Sequence, residues 1–359
     1  MAGQRSLLWP AVSSCTTVFM GPSLSERSLR QQLRANTAYA AYQQRMALAL
    51  LDVLRGCGLT YMSQADLTIG YVLGSGGFGT VTAATHATRG ALAIKGIALV
   101  DAQIHTSATE DEAAEYVVRL QDSTYALDGL LAEARFAGRL AECRHLTTAC
   151  GIVDHDGPFS SGSVFSLALP LIPGGHTLAT LMAECLAARR RIPLDLLLDI
   201  VQPVLETLVD MHARGVLHLD LKPANVLVET GAGAALTCHV CDLGIAEEVG
   251  VGGAAIVDCA RGTPGYWCPR LAAGERAVTG AADVYGWGRT LRALADLADP
   301  VDGPMAPVAR YGPALQRLVA ACEDPYPPAR ATLDDIEAEL AQMRWALPTI
   351  PEHLRFPAF

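Results

Sequence analysis

His218-Leu219-Asp220-Leu221-Lys222-Pro223-Ala224-Asn225-Val226-Leu227-Val228 sets a carboxylate, a cation two residues on and an amide five residues on along one short loop that runs into an apolar segment. Phosphoryl transfer asks a protein for these three groups: an acceptor for a hydroxyl proton, a counter-charge for a phosphate and an oxygen ligand for a metal ion. Alone, a D-x-K-x-x-N spacing is a weak signal. Its weight comes from the stretches on either side and from their order.

Upstream, Leu67-Thr68-Ile69-Gly70-Tyr71-Val72-Leu73 reads as a strand and leads into Gly74-Ser75-Gly76-Gly77-Phe78-Gly79-Thr80-Val81. Glycine there lets backbone N–H groups approach phosphates with no side chain in the way. A G-x-G-x-x-G run also opens dinucleotide folds, where a helix follows. Here Thr80-Val81-Thr82-Ala83 continues as strand, and no acidic residue is placed to take a ribose. Ala91-Leu92-Ala93-Ile94-Lys95 then ends an apolar strand on a cation, which in isolation would be a snorkelling surface residue. Downstream, Leu236-Thr237-Cys238-His239-Val240-Cys241-Asp242-Leu243-Gly244 ends on a carboxylate before glycine, able to reach a divalent ion that bridges two phosphates.

In this order the stretches resemble the eukaryotic-type protein kinase superfamily, Ser/Thr class, over about Leu67 to Arg344. The resemblance implies an α+β, two-lobed fold. A small antiparallel β-sheet lobe with one helix would occupy about 67–169 and a larger, mainly helical lobe about 173–344, between an extension at 1–66 and a tail at 345–359. It implies ATP and Mg2+ as cofactors and a protein Ser or Thr hydroxyl as acceptor, the acceptor class resting on Lys222 and Thr263. Asp220 would orient the acceptor and take its proton, and Lys222 would offset charge on the moving phosphoryl group. Asn225 and Asp242 would hold the metal. Lys95, braced by a helix Glu, would grip the non-transferred phosphates. Leu73 and the loop Gly74, Ser75, Gly76, Gly77, Phe78 and Gly79 would cover the nucleotide. Val81, Ala93 and Leu227 would sandwich the adenine, with Leu169 as gatekeeper and the backbone around Leu171 and Ile172 bonding it.

For the partner of Lys95 the residues offer Glu115 and Glu133. Glu133, in Leu130-Leu131-Ala132-Glu133-Ala134-Arg135-Phe136, ends its helix just ahead of the strand around Gly151-Ile152-Val153 and is chosen. That choice makes roughly Asp101 to Asp128 an inserted acidic segment, expected as a solvated surface excursion. Phe165 to Gly175 resembles the edge strand and hinge of the family, with Pro170 in place of a polar residue. Gly262-Thr263-Pro264-Gly265-Tyr266-Trp267-Cys268-Pro269 resembles the substrate-docking segment, and Asp283-Val284-Tyr285-Gly286-Trp287-Gly288 the helix start whose Asp holds the catalytic loop from beneath. Periodic apolar residues predict core helices over Leu196 to Met211 and Ala281 to Leu297.

Three further positions depart from the family pattern. Leu219 stands for the Arg beside the catalytic Asp, and Leu243 for a Phe whose packing it keeps. Arg270 stands for a Glu that pairs with the later Arg, here Arg330, so Arg270 is expected to pair instead with Glu323 or Asp324. From Asp242 through Gly262 there is no Ser, Thr or Tyr. With Leu219 offering no charge to a phosphate, the loop is expected to be held by packing of Ile245, Val249, Val251 and Ile256, or by a partner, with no need of phosphorylation.

A net charge of -10 argues against a nucleic-acid partner. Arg189-Arg190-Arg191 is expected to end a helix facing water. Ten scattered cysteines suit a reducing compartment, and Cys238-x-x-Cys241 reads as strand packing rather than half a metal site. No apolar run reaches 18 residues, Met1 to Met20 makes a poor secretory segment, and neither end carries a lipidation signal, so an intracellular protein is expected. Ser23 to Gly56 reads as one helix that braces the small lobe or docks a regulatory partner. The activities in competition are a Ser/Thr protein kinase, an ATP-binding scaffold of the pseudokinase type, and a small-molecule phosphotransferase. Lys95, Asp220, Asn225 and Asp242 together favour the first.

Overall fold

The computed structural model describes residues 26–76, 79–96, 109–155, 165–174, 176–229, 236–257, 262–298 and 307–345. Two units result: one takes residues up to Arg135 together with Ala149–Pro170, the other takes Phe136–Thr148 and everything from Leu171.

The first unit carries α1 (Glu26–Gly56), β1 (Thr60–Ser63), β2 (Leu67–Gly76), β3 (Gly79–His86), β4 (Gly90–Gly96), most of α2 (Glu110–Leu140), β5 (Gly151–Asp154) and β6 (Phe165–Pro170). Its sheet runs β1-β5-β6-β4-β3-β2. Five strands are antiparallel neighbours; β1, from the extension, adds in parallel to β5, Thr60 opposite Gly151. The strand expected at a sheet edge, β6, is therefore interior, and the edges are β1 and β2. Its side chains Phe165, Leu167, Ala168 and Leu169 are all buried, as in a strand covered on both faces. Proline is tolerated at its last position, Pro170, which lies opposite Leu92 at the end of the ladder.

Helix α2 corrects the expectation for the acidic insertion. From Glu110 onward that segment is helix, five turns added ahead of Glu133, with Ala113, Tyr116, Leu120, Ser123 and Leu127 buried. Only 101–108 lies outside the described residues. A capping box starts the helix: Glu112 N–H donates to Thr109 Oγ1 at 3.2 Å, and Glu112 Oε2 accepts from Thr109 N–H at 2.7 Å. That T-x-x-E signal was legible in the sequence. The expected helix start at Ser23 is outside the described residues.

The second unit carries β7 (His176–Thr177), α3 (Leu178–Ala187), α4 (Leu194–Ala213), β8 (Val216–Leu217), β9 (Val226–Glu229), β10 (Thr237–Val240), β11 (Glu247–Glu248) and β12 (Ala255–Ile256). After these come α5 (Pro269–Ala272), β13 (Ala277–Val278), α6 (Ala281–Ala298), α7 (Pro307–Cys322) and α8 (Leu333–Trp345). Its core is built on α4, where Leu197, Ile200, Val201, Val204, Leu205 and Leu208 meet Trp287, Leu291 and Leu294 of α6 and Ile336 and Leu340 of α8. Truncating one of these leucines to Ala would cost about 2–5 kcal/mol. Cys238 on β10 belongs to the same core, and burial pushes its thiol up to about 12, which suits packing. Arg189 and Arg191 are exposed just past α3. Among the described residues no helix is long and apolar enough to cross a membrane.

Candidate active site

In the first unit, pairing register sets the site. Lys95 on β4 faces Val81 across one ladder and Leu167 across the other, and Ala93 faces Ala83 and Leu169. Buried by its neighbours, Lys95 is 8 % exposed; its Nζ donates to Oε2 of Glu133, which is 0 % exposed, at 2.7 Å. Both charges have left water, so the pair holds only while both members are present. Glu115 is exposed, about five turns nearer the start of α2.

At the turn from β2 to β3, Leu73 is half-buried and Gly74, Ser75 and Gly76 are exposed. Gly77 and Phe78 lie outside the described residues. Gly79 has φ +112, a conformation only glycine adopts readily. Neither Gly74 nor Gly76 has a positive φ, and no described atom lies within 4 Å of a Cβ built on either. The fold itself does not demand glycine there.

In the second unit the quoted loop follows β8, passes through a 3-10 turn at Pro223–Asn225 and continues as β9. Asp220, 3 % exposed, gathers its neighbours: Lys222 Nζ donates to Oδ2 at 2.6 Å, Thr263 Oγ1 to Oδ1 at 2.9 Å and Asn225 Nδ2 to Oδ2 at 3.0 Å. Lys222 Nζ also donates to Thr263 Oγ1 at 2.5 Å, closing a triangle between loop and docking segment. Gly262 is required beside it: at φ +106, a Cβ would lie 2.9 Å from Trp267 Nε1 and 3.1 Å from the Leu219 carbonyl.

Asn225 spends its amide nitrogen on Asp220, at the carbonyl as well as the carboxylate, which turns its amide oxygen away from that residue. Asp242 is tied to the loop through its neighbour, since Cys241 N–H donates to the Asn225 carbonyl at 2.9 Å. An amide oxygen and a carboxylate are the hard oxygen donors that Mg2+ takes when phosphates and water complete its shell, so the donor set fits that ion. Asp242 adopts φ +70 and Leu219 φ +63, left-handed backbone that costs a non-glycine residue roughly 1–2 kcal/mol. Such strain persists where surrounding structure over-determines it.

Asp283 does much of that determining. It is 1 % exposed at the start of α6, and its carboxylate accepts from Leu219 N at 2.7 Å, His218 N at 2.9 Å and His212 Nε2 at 2.8 Å. Burial pushes its carboxyl up, but the hydrogen bond and charge of His212, with His218 and the Leu219 amide, outweigh it and hold the group below the ordinary carboxylate value. His212 had no signal in the sequence, because it meets Asp283 only through the packing of α4 on α6.

Leu219 is the second unforeseen contributor. Its side chain packs beside Val249 against Leu217, Ala255, Val257, Cys268, Leu271 and Val278. Of the residues expected to hold the loop after Asp242, Ile245 is buried and Val249 is packed, but Val251 is fully exposed and Ile256 is 68 % exposed. Strand alternation gives the reason: β12 pairs with β13, which turns Ala255 and Val257 inward and Ile256 outward. Leu243 is fully buried with Leu140 and Cys143.

Arg270 pairs with Glu275, not with Glu323 or Asp324. Glu323 is taken by Arg292 at 2.6 Å and Arg289 at 3.4 Å, and Arg289 Nε also donates to the Gly265 carbonyl of the docking segment. Arg330, 6 % exposed, is held by the carbonyls of Asp324 and Ala281, both at 2.6 Å, and by the face of Tyr285 at 5.1 Å. Carbonyl dipoles and a ring thus hold this buried guanidinium. Of the other residues expected at the nucleotide, Leu169 is buried and Leu171, Ile172 and Leu227 are half-buried, with Leu227 opposite His239 and Thr177.

Comparison with known proteins agrees with this arrangement. Over 151 residues, 38 % of the chain and 18 % of the relative, it is 36 % identical to the serine/threonine-protein kinase AfsK of Streptomyces coelicolor. It is 29 % identical over 173 residues, 48 % of the chain and 28 % of the relative, to the serine/threonine-protein kinase PknJ of Mycobacterium tuberculosis. Against the serine/threonine-protein kinase mos of Patiria pectinifera the identity is 33 % over 111 residues, 30 % of each chain. The chain therefore spans under a third of the length of these relatives. A family model described as protein kinase domain matches residues 67–306, about two thirds of the chain, taking in β2, Lys95, Glu133, the loop around Asp220, Asp242 and Asp283, and on that match the chain belongs to the protein kinase domain family.

Proposed function

We propose that the chain transfers the γ-phosphoryl group of ATP to Ser or Thr hydroxyls of proteins. The closed network among Asp220, Lys222, Asn225 and Thr263 carries the reading, because it holds a proton acceptor, a cation and a metal-ligating amide in one hydrogen-bonded set. The kinase domain and the serine/threonine kinase names of its relatives support it.

In the proposed reaction Asp220 orients the acceptor hydroxyl and takes its proton on a carboxylate oxygen. Lys222 turns its ammonium from that carboxylate to the phosphoryl oxygens as charge moves. Lys95, fixed by Glu133, grips the non-transferred phosphates, and the backbone amides of Gly74 to Gly79 cover them. For the adenine, the first unit offers Val81, Ala93 and Leu169, and the second offers Leu227 and the backbone at Leu171 and Ile172. Asn225 and Asp242 would hold Mg2+, which when bound would offset phosphate charge. Positioning does most of the work.

Loop order without phosphorylation belongs to the same proposal. At the place where an Arg would receive a phosphate, Leu219 instead joins Val249, Ala255 and Val257 in an apolar cluster, which supports a loop held by packing. Arg270 and Arg330 each have partners, so the lost Glu gives no ground for a scaffold. An assay with radiolabelled ATP, Mg2+ and generic protein substrates tests the function, with label expected on Ser or Thr. ATP binding with no transfer to any acceptor would establish the scaffold instead.

A further inference from the structure

Helix α1 precedes the stretch that the family model matches, and phosphoryl transfer as described gives it no task. It is nonetheless tied to α2 at three levels. Tyr116 Oη donates to Asn36 Oδ1 at 2.9 Å, with both residues buried. Further along, Tyr42 Oη reaches the Thr124 carbonyl at 3.4 Å and the Asp128 carboxylate. Just past the end of α1, the Cys57 thiol donates to the Arg135 carbonyl at 3.5 Å. Contacts progress in the same direction on both helices, from 36 through 42 to 57 and from 116 through 124 and 128 to 135. The two therefore run parallel, side by side for about 28 Å at 1.5 Å per residue. Buried residues recur at helical spacing on each: Gln32, Asn36 and Tyr39 on α1, Ala113, Tyr116, Leu120, Ser123 and Leu127 on α2.

Apolar faces alone tolerate sliding, whereas buried hydroxyl and amide partners do not, since a slip leaves them unpaired in a low-dielectric setting. The last tie, at Arg135, falls half a turn beyond Glu133. A slip of one residue along α2 would move the Glu133 carboxylate about 1.5 Å and turn it about 100° away from Lys95. That motion is enough to break a 2.7 Å ion pair.

Resting on the kinase reading above, we propose that α1 is a built-in positioning element that fixes the register and rotation of α2 and so sets Glu133 against Lys95, a task done by the chain's own segment with no second protein. Asn36, Tyr42 and Tyr116 are its positioning residues; none touches nucleotide or acceptor.

The test uses the full chain carrying Tyr42→Phe and Tyr116→Phe, which removes two hydroxyls and no ring. Amide hydrogen exchange over residues 128–136 should accelerate, and Kd for N-methylanthraniloyl-ATP should rise on the order of tenfold, the scale of losing buried hydrogen bonds. In a Glu133→Gln background the same two changes should leave Kd where Glu133→Gln alone puts it, because the path from α1 to the nucleotide passes through that carboxylate. Unchanged exchange over 128–136, or a Kd effect of equal size in both backgrounds, would overturn the proposal and leave α1 as general support for the fold. Should the wild-type chain bind no nucleotide, the kinase reading falls by itself. Faster exchange in the variant would then still uphold the hold of α1 on the turn that carries Glu133, and unchanged exchange would end it.

Discussion

Replacing Asp283 by Asn changes one atom and should disable the loop that carries Asp220. The carboxylate serves three donors, Leu219 N on one oxygen and His218 N and His212 Nε2 on the other, and it is 1 % exposed, so water cannot take over. An amide has one oxygen. Turned toward His218 and His212 it sets its NH2 against the Leu219 amide; turned the other way it opposes two donors. The better orientation leaves one buried donor unmade, at about 1–3 kcal/mol, and weakens two charge-assisted bonds. A total of about 3–5 kcal/mol follows, the usual scale for breaking a buried polar set. Leu219, at φ +63, loses the contact that holds it there and relaxes, carrying Asp220 with it. Misplacing a catalytic group by about 1 Å costs about 10²-fold, so kcat should fall by that factor while KM for ATP changes little. Urea unfolding followed by tryptophan fluorescence, Trp287 being fully buried in the same unit, should show a lower midpoint at unchanged slope. The folded-state value of the Asp283 carboxyl lies below its ordinary 3.8, so its stabilisation is present above that pH and is lost as pH falls through the folded value. The gap between wild type and variant should therefore stay flat from neutral pH down to about pH 4 and close only below it. A stability loss under about 1 kcal/mol, less than a single unmade buried bond, or an unchanged kcat, would refute the reasoning.

Asp220→Ala should retain nucleotide binding and lower turnover by about 10² to 10⁴, which steady-state kinetics with ATP titration would measure; wild-type turnover would remove Asp220 from the mechanism. Glu133→Gln should strongly reduce activity because it leaves Lys95 buried without its counter-charge, whereas Glu115→Gln, exposed and ~27 Å along the same helix, should stay within about twofold of wild type. The reverse order in a side-by-side assay would overturn the register assigned to α2. Protein treated with phosphatase should keep its activity, with mass spectrometry finding no phosphate between Asp242 and Arg270. Loss of both together would show that packing around Leu219 is not what orders the loop.

How much was legible depended on the range of the interaction. Lys95, Asp220, Lys222, Asn225 and Asp242 stand out in the sequence because each sits in a short run whose spacing the proposed chemistry would constrain. Strand β4 and helices α4 and α6 could be read because a buried face imposes its period locally. Glu133 was legible more indirectly, by where its helix ended relative to the next strand, and the 2.7 Å bond to Lys95 agrees with that choice. The insertion departs from its expectation because a capping box at Thr109 and Glu112 starts a helix there, which acidic composition does not report. Ile256 faces solvent because of a pairing register that only β13 supplies, and Val251 because it sits in a turn closed by Gly253 N–H on the Gly250 carbonyl.

By itself, then, the sequence determined the groups that chemistry needs at fixed spacing and the helices and strands whose periodicity reports a buried face. Only the tertiary structure decided what meets across long separations. It placed His212 and the loop amides on Asp283, Arg270 on Glu275, Arg330 among carbonyls, β1 beside β5 and α1 along α2. The physical reason is that a charge or a donor accepts any partner of the opposite kind, so its own residue type leaves the partner open. Which candidate arrives is set by the packing of whole elements, a property of the entire chain that no local window contains.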